Sequence, residues 1–198
     1  MHDKYTSLIS RAPEGLTTAP DQAYALTFNA TTNRVQEIGP GRAVPAPSFG
    51  LHVYTVPTTP VETMFAVTGA IRCLKPDGRE YAPGFCLKLT LSYISASGMQ
   101  KLLLTARQQL GGRMPDCITL QTLYDIIAAD VRAVCTKAAE TFSHKQTLTY
   151  TQWWQDLMHG TVYRDLLYTQ LLPVFNTYGF RLDKSSFGFG GLSPVPVE

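Results

Sequence analysis

The sequence is poor in charge: 16% of its 198 residues are Asp, Glu, Lys or Arg, while 44% are apolar. An average soluble domain carries about 25% charged residues. A surface built instead from Thr, Ser, Gln, Asn and Tyr repels copies of itself weakly, which favours self-association, with a neutral monomer as the alternative that composition leaves open. Seventeen basic against fifteen acidic residues leave a formal charge of +2. The basic residues are scattered singly, so no stripe tracks a phosphate backbone and nucleic acid is not an expected partner. Long apolar runs are missing as well. Leu102–Leu104 and Leu171–Phe175 fall far short of the roughly 18 residues that span a bilayer, so no transmembrane segment is expected. The opening MHDKYTSLISRAPEG has no apolar h-region and does not read as a secretory signal, which points to the cytosol.

Motifs of known chemistry are also absent. There is no G-x-S-x-G elbow for a serine nucleophile and no H-E-x-x-H for zinc. His2, His52, His144 and His159 stand far apart, and Cys73, Cys86, Cys117 and Cys135 contain no C-x-x-C pair. The thiols are therefore read as free, with Cys135 a small buried hydrophobe on a helical face. A Cys135–His144 pairing gains little weight, because a helix-buried thiol is normally inert. Gly188-Phe189-Gly190-Gly191 lacks the Lys and Ser/Thr of a phosphate loop and reads as flexible tail. No catalytic, cofactor-binding or metal-ligating residue is expected, and the chain is not read as an enzyme.

Periodicity organises what remains. Residues 1–22, with Pro13, Gly15 and Pro20, form an expected extended lead-in. Ala23–Asn29 alternates apolar and polar, as a half-buried strand does, and NATTN turns it into a second strand, VQEI, that ends at Gly39-Pro40-Gly41-Arg42. Leu51–Val56, Met64–Leu74 and Gly84–Ser95 are further strands, the last two joined through Pro76-Asp77-Gly78. Met99, Leu102, Leu103 and Ala106 then recur at helical spacing up to Gly111-Gly112. A longer helix runs from Leu120 to Phe142 behind a Thr119 cap, and a third from near Thr151 to Tyr178, kinked or interrupted about Gly160 and Pro173. Phe180, Leu182 and Phe187 suggest a returning strand before a Gly/Pro-rich tail, 189–198. The expected architecture is one α+β domain over 23–188, with a mostly antiparallel N-terminal sheet, helices and a C-terminal strand.

This order resembles the SPFH family of stomatin, prohibitin and flotillin, and within it the soluble bacterial branch described as virion-core-protein-like. Pro40-Gly41-Arg42 after VQEI is similar to the family's Pro-Gly-Arg/Lys corner. GFCLKLTLSYI resembles its strand meander, LYDIIAADVRAVCTKAAETF its helices, and LLPVFNTYGFRLDKSSFGF its closing helix, Gly and strand. The resemblance covers Ala23 to Leu192. It implies a non-enzymatic scaffold domain that self-associates or docks to other proteins, with peripheral membrane contact as a further partner. Two departures stand out, since no membrane-inserting N-terminal hairpin and no heptad helix is present.

The aromatic group Tyr150, Trp153, Trp154, Tyr163 and Tyr168 offers interaction residues. Adjacent tryptophans on one helix cannot both face the core, and Trp and Tyr are favoured interface anchors; the alternative is that one Trp caps the core while the other lies along a loop. Two other functions stay open: a phage- or particle-associated structural protein, and a small-molecule-binding or catalytic domain whose site is assembled only in the fold, around one of the histidines in an apolar pocket.

Overall fold

The computed structural model describes residues 5–46, 48–68, 70, 73–74, 80–143 and 160–196. In chain order the elements are β1 (Ser7–Arg11), β2 (Ala23–Asn29), β3 (Arg34–Ile38), β4 (Leu51–Pro57), β5 (Val61–Val67), β6 (Cys73–Leu74), β7 (Glu80–Tyr93), α1 (Ala96–Gln109), β8 (Cys117–Thr119), α2 (Leu120–Ser143), α3 (Thr161–Thr177), β9 (Phe180–Leu182) and β10 (Gly188–Pro196). The fold is α+β, as the sequence predicts. None of the described helices is long and apolar enough to cross a membrane.

The chain divides into two compact units. The first comprises Met1–Val61, Leu91–Ile126 and Phe175–Arg181, the second Glu62–Thr90, Ile127–Val174 and Leu182–Glu198. The boundaries fall inside β5, β7, α2, α3 and β9, where no Pro/Gly-rich linker could announce them.

In the first unit a five-stranded sheet runs β3-β2-β4-β1-β8, with all four pairings antiparallel. The lead-in therefore contains a structural strand. Leu8 and Ile9 are buried, and β1 lies between β4 and β8 with a register shift between Ser7 and Ile9. The hairpin β2–β3 forms as the sequence predicts. Asn29 Oδ1 accepts from the Thr31 and Thr32 amides (2.9 and 3.0 Å), and Asn33 takes the left-handed conformation at φ 54°, which Asn tolerates. The expected one-sided burial of β2 does not hold, because Ala25, Leu26, Thr27 and Phe28 are all buried. Leu16, Ala19, Ile38, Val44 and Val53 make a second small core with Ala25. The chain around Gly39–Arg42 holds that cover in place: the Gly41 amide donates to the Ala19 carbonyl (3.0 Å), the Ala19 amide to that of Arg42 (2.8 Å) and the Val44 amide to that of Thr17 (2.8 Å).

Helix α1 buries Met99, Leu102, Leu103 and Ala106 as its spacing predicts, and Ser95 Oγ caps it by accepting from the Gly98 amide at 3.3 Å. The turn after α3 approaches this same end, with the Ile94 amide donating to the Gly179 carbonyl (3.0 Å). Gly179 sits at φ 86°, a conformation that costs other residues energy. Thr119 begins α2 as expected, its Oγ1 accepting from the Thr122 amide at 3.2 Å.

In the second unit β7 is flanked by β10 and β5, and β6 pairs with β7 as well. Phe85, Leu87 and Leu89 of β7 are buried, as are Ile127, Val131, Cys135 and Ala138 of α2 and Tyr163, Leu167 and Leu171 of α3. The glycine-rich segment expected as a tail is β10. Its Gly188–Pro196 backbone pairs antiparallel with Tyr81–Lys88, with a register shift between Gly190 and Leu192. Phe189 lies 6.1 Å from the Tyr163 ring, nearly parallel to it, and meets Phe85 and Phe187 edge-on at 6.0 and 6.3 Å. Aromatic packing of this kind fixes a strand whose glycines would otherwise weaken it. Pro173 lies within α3, and that helix begins at Thr161, directly after Gly160.

Candidate functional site

At one end of the first unit's sheet, polar side chains from β1, β4 and the loop before β8 come together. Arg11 ends β1 opposite Tyr54 of β4, and paired residues project from the same sheet face, as does His52 two residues earlier. The Arg11 guanidinium donates to Asp116 Oδ1 from Nη1 (2.9 Å) and to His52 Nδ1 from Nη2 (2.6 Å), while its amide donates to the Asp116 carbonyl (2.7 Å). A guanidinium can only donate, so Nδ1 must accept and the imidazole carries its proton on Nε2. Burial lowers the His52 pKa, and the positive charges of Arg11 and then Arg107 lower it further.

Arg107, in the last turn of α1, donates from Nε to the Gly112 carbonyl and from Nη1 to Asn33 Oδ1, both at 3.0 Å. These acceptors are neutral, so its charge is not neutralised by either. Below the cluster, the fully buried Tyr54 hydroxyl donates to the Pro115 carbonyl at 2.9 Å. Burial pushes its pKa up to about 12. Arg11 and His52 also line an open groove of about 350 Å³, whose walls include Pro13, Glu14, Leu16, Leu51 and Val53. At the other end of β3, the Tyr93 hydroxyl donates to the Glu37 carboxylate, with the Tyr24 ring 5.0 Å from its own. Burial first and the Glu37 contact second raise the Tyr93 pKa.

The aromatic group singled out in the sequence distributes differently. Tyr150, Trp153 and Trp154 lie outside the described residues, as do His2, His144 and His159. Tyr163 is corrected from surface anchor to core, being 1% exposed and stacked on Phe189. Tyr168 is part-buried, its hydroxyl donating to the Leu182 carbonyl at 3.2 Å and its ring edge-on to Phe187 at 5.6 Å. The two tyrosines therefore serve the interior of the second unit. The Arg11–His52–Asp116 cluster was not singled out, since its members are 41 and 105 residues apart and follow no local spacing.

Cys135 is the small buried hydrophobe that its helical spacing predicts, and burial pushes its thiol up to about 12. With an ordinary thiol at 9.0, this leaves roughly a thousandth of the usual thiolate for reaction. Cys86 is half-buried and Cys117 exposed. Iodoacetamide at mildly alkaline pH is expected to alkylate Cys117 readily and to spare Cys135 until denaturant is added, as peptide mass mapping will report. Equal labelling of both in the native protein would contradict this burial. Among the described residues no group of three or more His, Cys, Asp or Glu side chains could hold a metal ion.

No protein-family model matches the chain, and no curated protein sequence matches it.

Proposed function

We propose that this chain is a non-enzymatic assembly domain of SPFH type that works by associating with further copies of itself or with a larger protein assembly. The observation that carries this reading is Phe49, which is fully exposed to solvent on a turn whose backbone is tied down on both sides. The Leu51 amide donates to the Ser48 carbonyl (2.9 Å) and the Ala30 amide to that of Gly50 (2.8 Å), with Gly50 at φ 75°. A large aromatic side chain presented on a fixed backbone loses little freedom on docking and can bury its whole surface in a partner.

The light charge of the sequence lowers the electrostatic barrier to such contacts. Strand addition at β10 is a poorer route. Pro194 and Pro196 remove two backbone donors from that edge, and the irregularity after Gly190 bends it, both of which are devices that blunt an edge strand. Side-chain docking is thus favoured over sheet extension. The SPFH part of this reading rests on the sequence, in the Pro40-Gly41-Arg42 corner after VQEI and in LLPVFNTYGFRLDKSSFGF.

The test is the molar mass of the full chain by light scattering over a dilution series at two salt concentrations. A defined oligomer that persists on dilution is expected. Phe49→Ser should weaken it by about thirtyfold in dissociation constant, the effect of losing an interface hot spot of about 2 kcal/mol, while its circular dichroism remains that of the folded wild type. A monomer at every concentration would sink self-association. Capture of a defined particle from the native cytosol would then favour the particle-associated reading, and flotation with vesicles the membrane surface.

A further inference from the structure

We propose that Arg11, His52 and Arg107 form a binding site for a phosphate-bearing small molecule, whose apolar body lies in the adjoining groove. This goes beyond assembly and stands whether or not the domain oligomerises.

His52 has its Nδ1 filled by Arg11 at 2.6 Å, so its remaining ring nitrogen is an N–H donor on a neutral ring. Arg11 uses Nη1 on Asp116 and Nη2 on His52, and Arg107 uses Nε on Gly112 and Nη1 on Asn33. Each guanidinium has five N–H groups, so both keep donors beyond these bonds. The three donors come from three different elements, β1, β4 and α1, and an anion with several oxygens could accept from more than one of them.

The charges acting on the His52 ring are those of Arg11 and Arg107, and both disfavour its protonation. The nearby acids are Asp116, whose side chain is 84% exposed, and Glu14 on the groove wall. Arg11 shares its charge with Asp116 at 2.9 Å, whereas Arg107 bonds neutral acceptors among the described residues, so a dianion would meet at least one guanidinium that no carboxylate offsets. Arg11 and His52 stand at the wall of the groove while Pro13, Leu16, Leu51 and Val53 supply apolar surface, which is the mixture of few polar groups and apolar lining that small-molecule sites use.

The test follows the His52 imidazole by proton–carbon NMR, its resonance assigned as the one lost in His52→Gln, while phenyl phosphate is added to the full chain. A saturable shift is expected, together with a rise in the His52 pKa, because the bound anion offsets the two guanidinia. Arg107→Gln should weaken binding by about tenfold, the loss of one charge-assisted hydrogen bond, and Arg107→Lys should recover much of it by restoring the charge. Inorganic phosphate, which cannot use the groove, should bind more weakly than phenyl phosphate. The proposal is overturned if His52 shows no saturable shift, if Arg107→Gln leaves the titration unchanged while the rest of the spectrum shows a folded protein, or if inorganic phosphate binds as tightly as its phenyl ester.

Discussion

Gly98→Ala is expected to destabilise the protein by about 3 kcal/mol, at the upper end of what overpacking a close contact costs. For a chain of this size that corresponds to a fall in the thermal midpoint of about 6–12 °C. The sign is the informative part. Gly98 lies in the first turn of α1, and alanine inside a helix normally stabilises by up to about 1 kcal/mol over glycine. Here a β-carbon would run into the backbone of Gly179 and lie 2.9 Å from the Tyr178 carbonyl carbon. Backbone cannot swing aside as the end of a side chain can. The contact is reciprocal, since a β-carbon on Gly179 would lie 2.9 Å from the Met99 amide nitrogen and 3.0 Å from the Ser95 carbonyl. The control is Gly188→Ala, where a β-carbon meets nothing within 4 Å and strand propensity favours the change. Thermal unfolding that places Gly98→Ala at or above both wild type and this control would show that α1 and the Gly179 turn are not in such close contact.

That contact also marks what could be read from the sequence and what could not. Helix α1 was legible because Met99, Leu102, Leu103 and Ala106 recur on one face, and the α2 start because Thr119 stands just before a periodic stripe. Both signals are local and sum over many residues. The glycine at position 98 carries no such signal, since the need for a missing side chain is set by residue 179, far along the chain. Strand β1 was lost for a related reason. Its buried stretch is only Leu8 and Ile9, flanked by serines that bond locally, with Ser7 Oγ donating to the Ile9 carbonyl at 3.0 Å, so nothing but its pairing with β4 and β8 makes it a strand.

Strand β10 was hidden by its composition. Glycines and prolines disfavour strands, yet the segment pairs with β7 along its length, while Phe189 joins the aromatic cluster. The expectation for Tyr163 failed because an isolated Tyr gives the same sequence signal whether its ring meets a partner or Phe189. As for the candidate site, Arg11 lies in a segment whose Pro and Gly residues mask its strand, and His52 in a strand where one polar residue among apolar ones carries no spacing. Only the antiparallel register of β1 on β4 brings them together.

Raising the pH through the alkaline range is expected to remove several kcal/mol of stability, with Cys135 and Tyr54 as principal causes. Both side chains are fully buried, and burial raises the Cys135 thiol from 9.0 and the Tyr54 hydroxyl from 10.0, each to about 12. In the unfolded chain each group releases its proton near its ordinary value, whereas the folded protein holds it until about 12. Between those limits the native state binds more protons, so stability falls as pH rises. At neutral pH neither group titrates in either state and no dependence arises from them. At about 1.4 kcal/mol for each pH unit, the Cys135 window holds at most about 4 kcal/mol and that of Tyr54 at most about 3, and any relaxation around the thiolate or phenolate reduces both. Tyr93 acts in the same direction, but it is less buried and bound to Glu37. The check is urea unfolding of wild type, Cys135→Ala and Tyr54→Phe at a series of pH values. Cys135→Ala should be less stable than wild type at neutral pH, because it leaves a small cavity, and should lose that disadvantage as the pH climbs past 9. Tyr54→Phe deprives the buried Pro115 carbonyl of its donor, at a cost of about 1–2 kcal/mol, and should converge on wild type only above pH 10. Curves for Cys135→Ala and wild type that stay parallel across the whole range would mean that the thiol ionises as readily in the folded protein as in the unfolded chain, and that Cys135 is not sealed between α2 and the rest of its core.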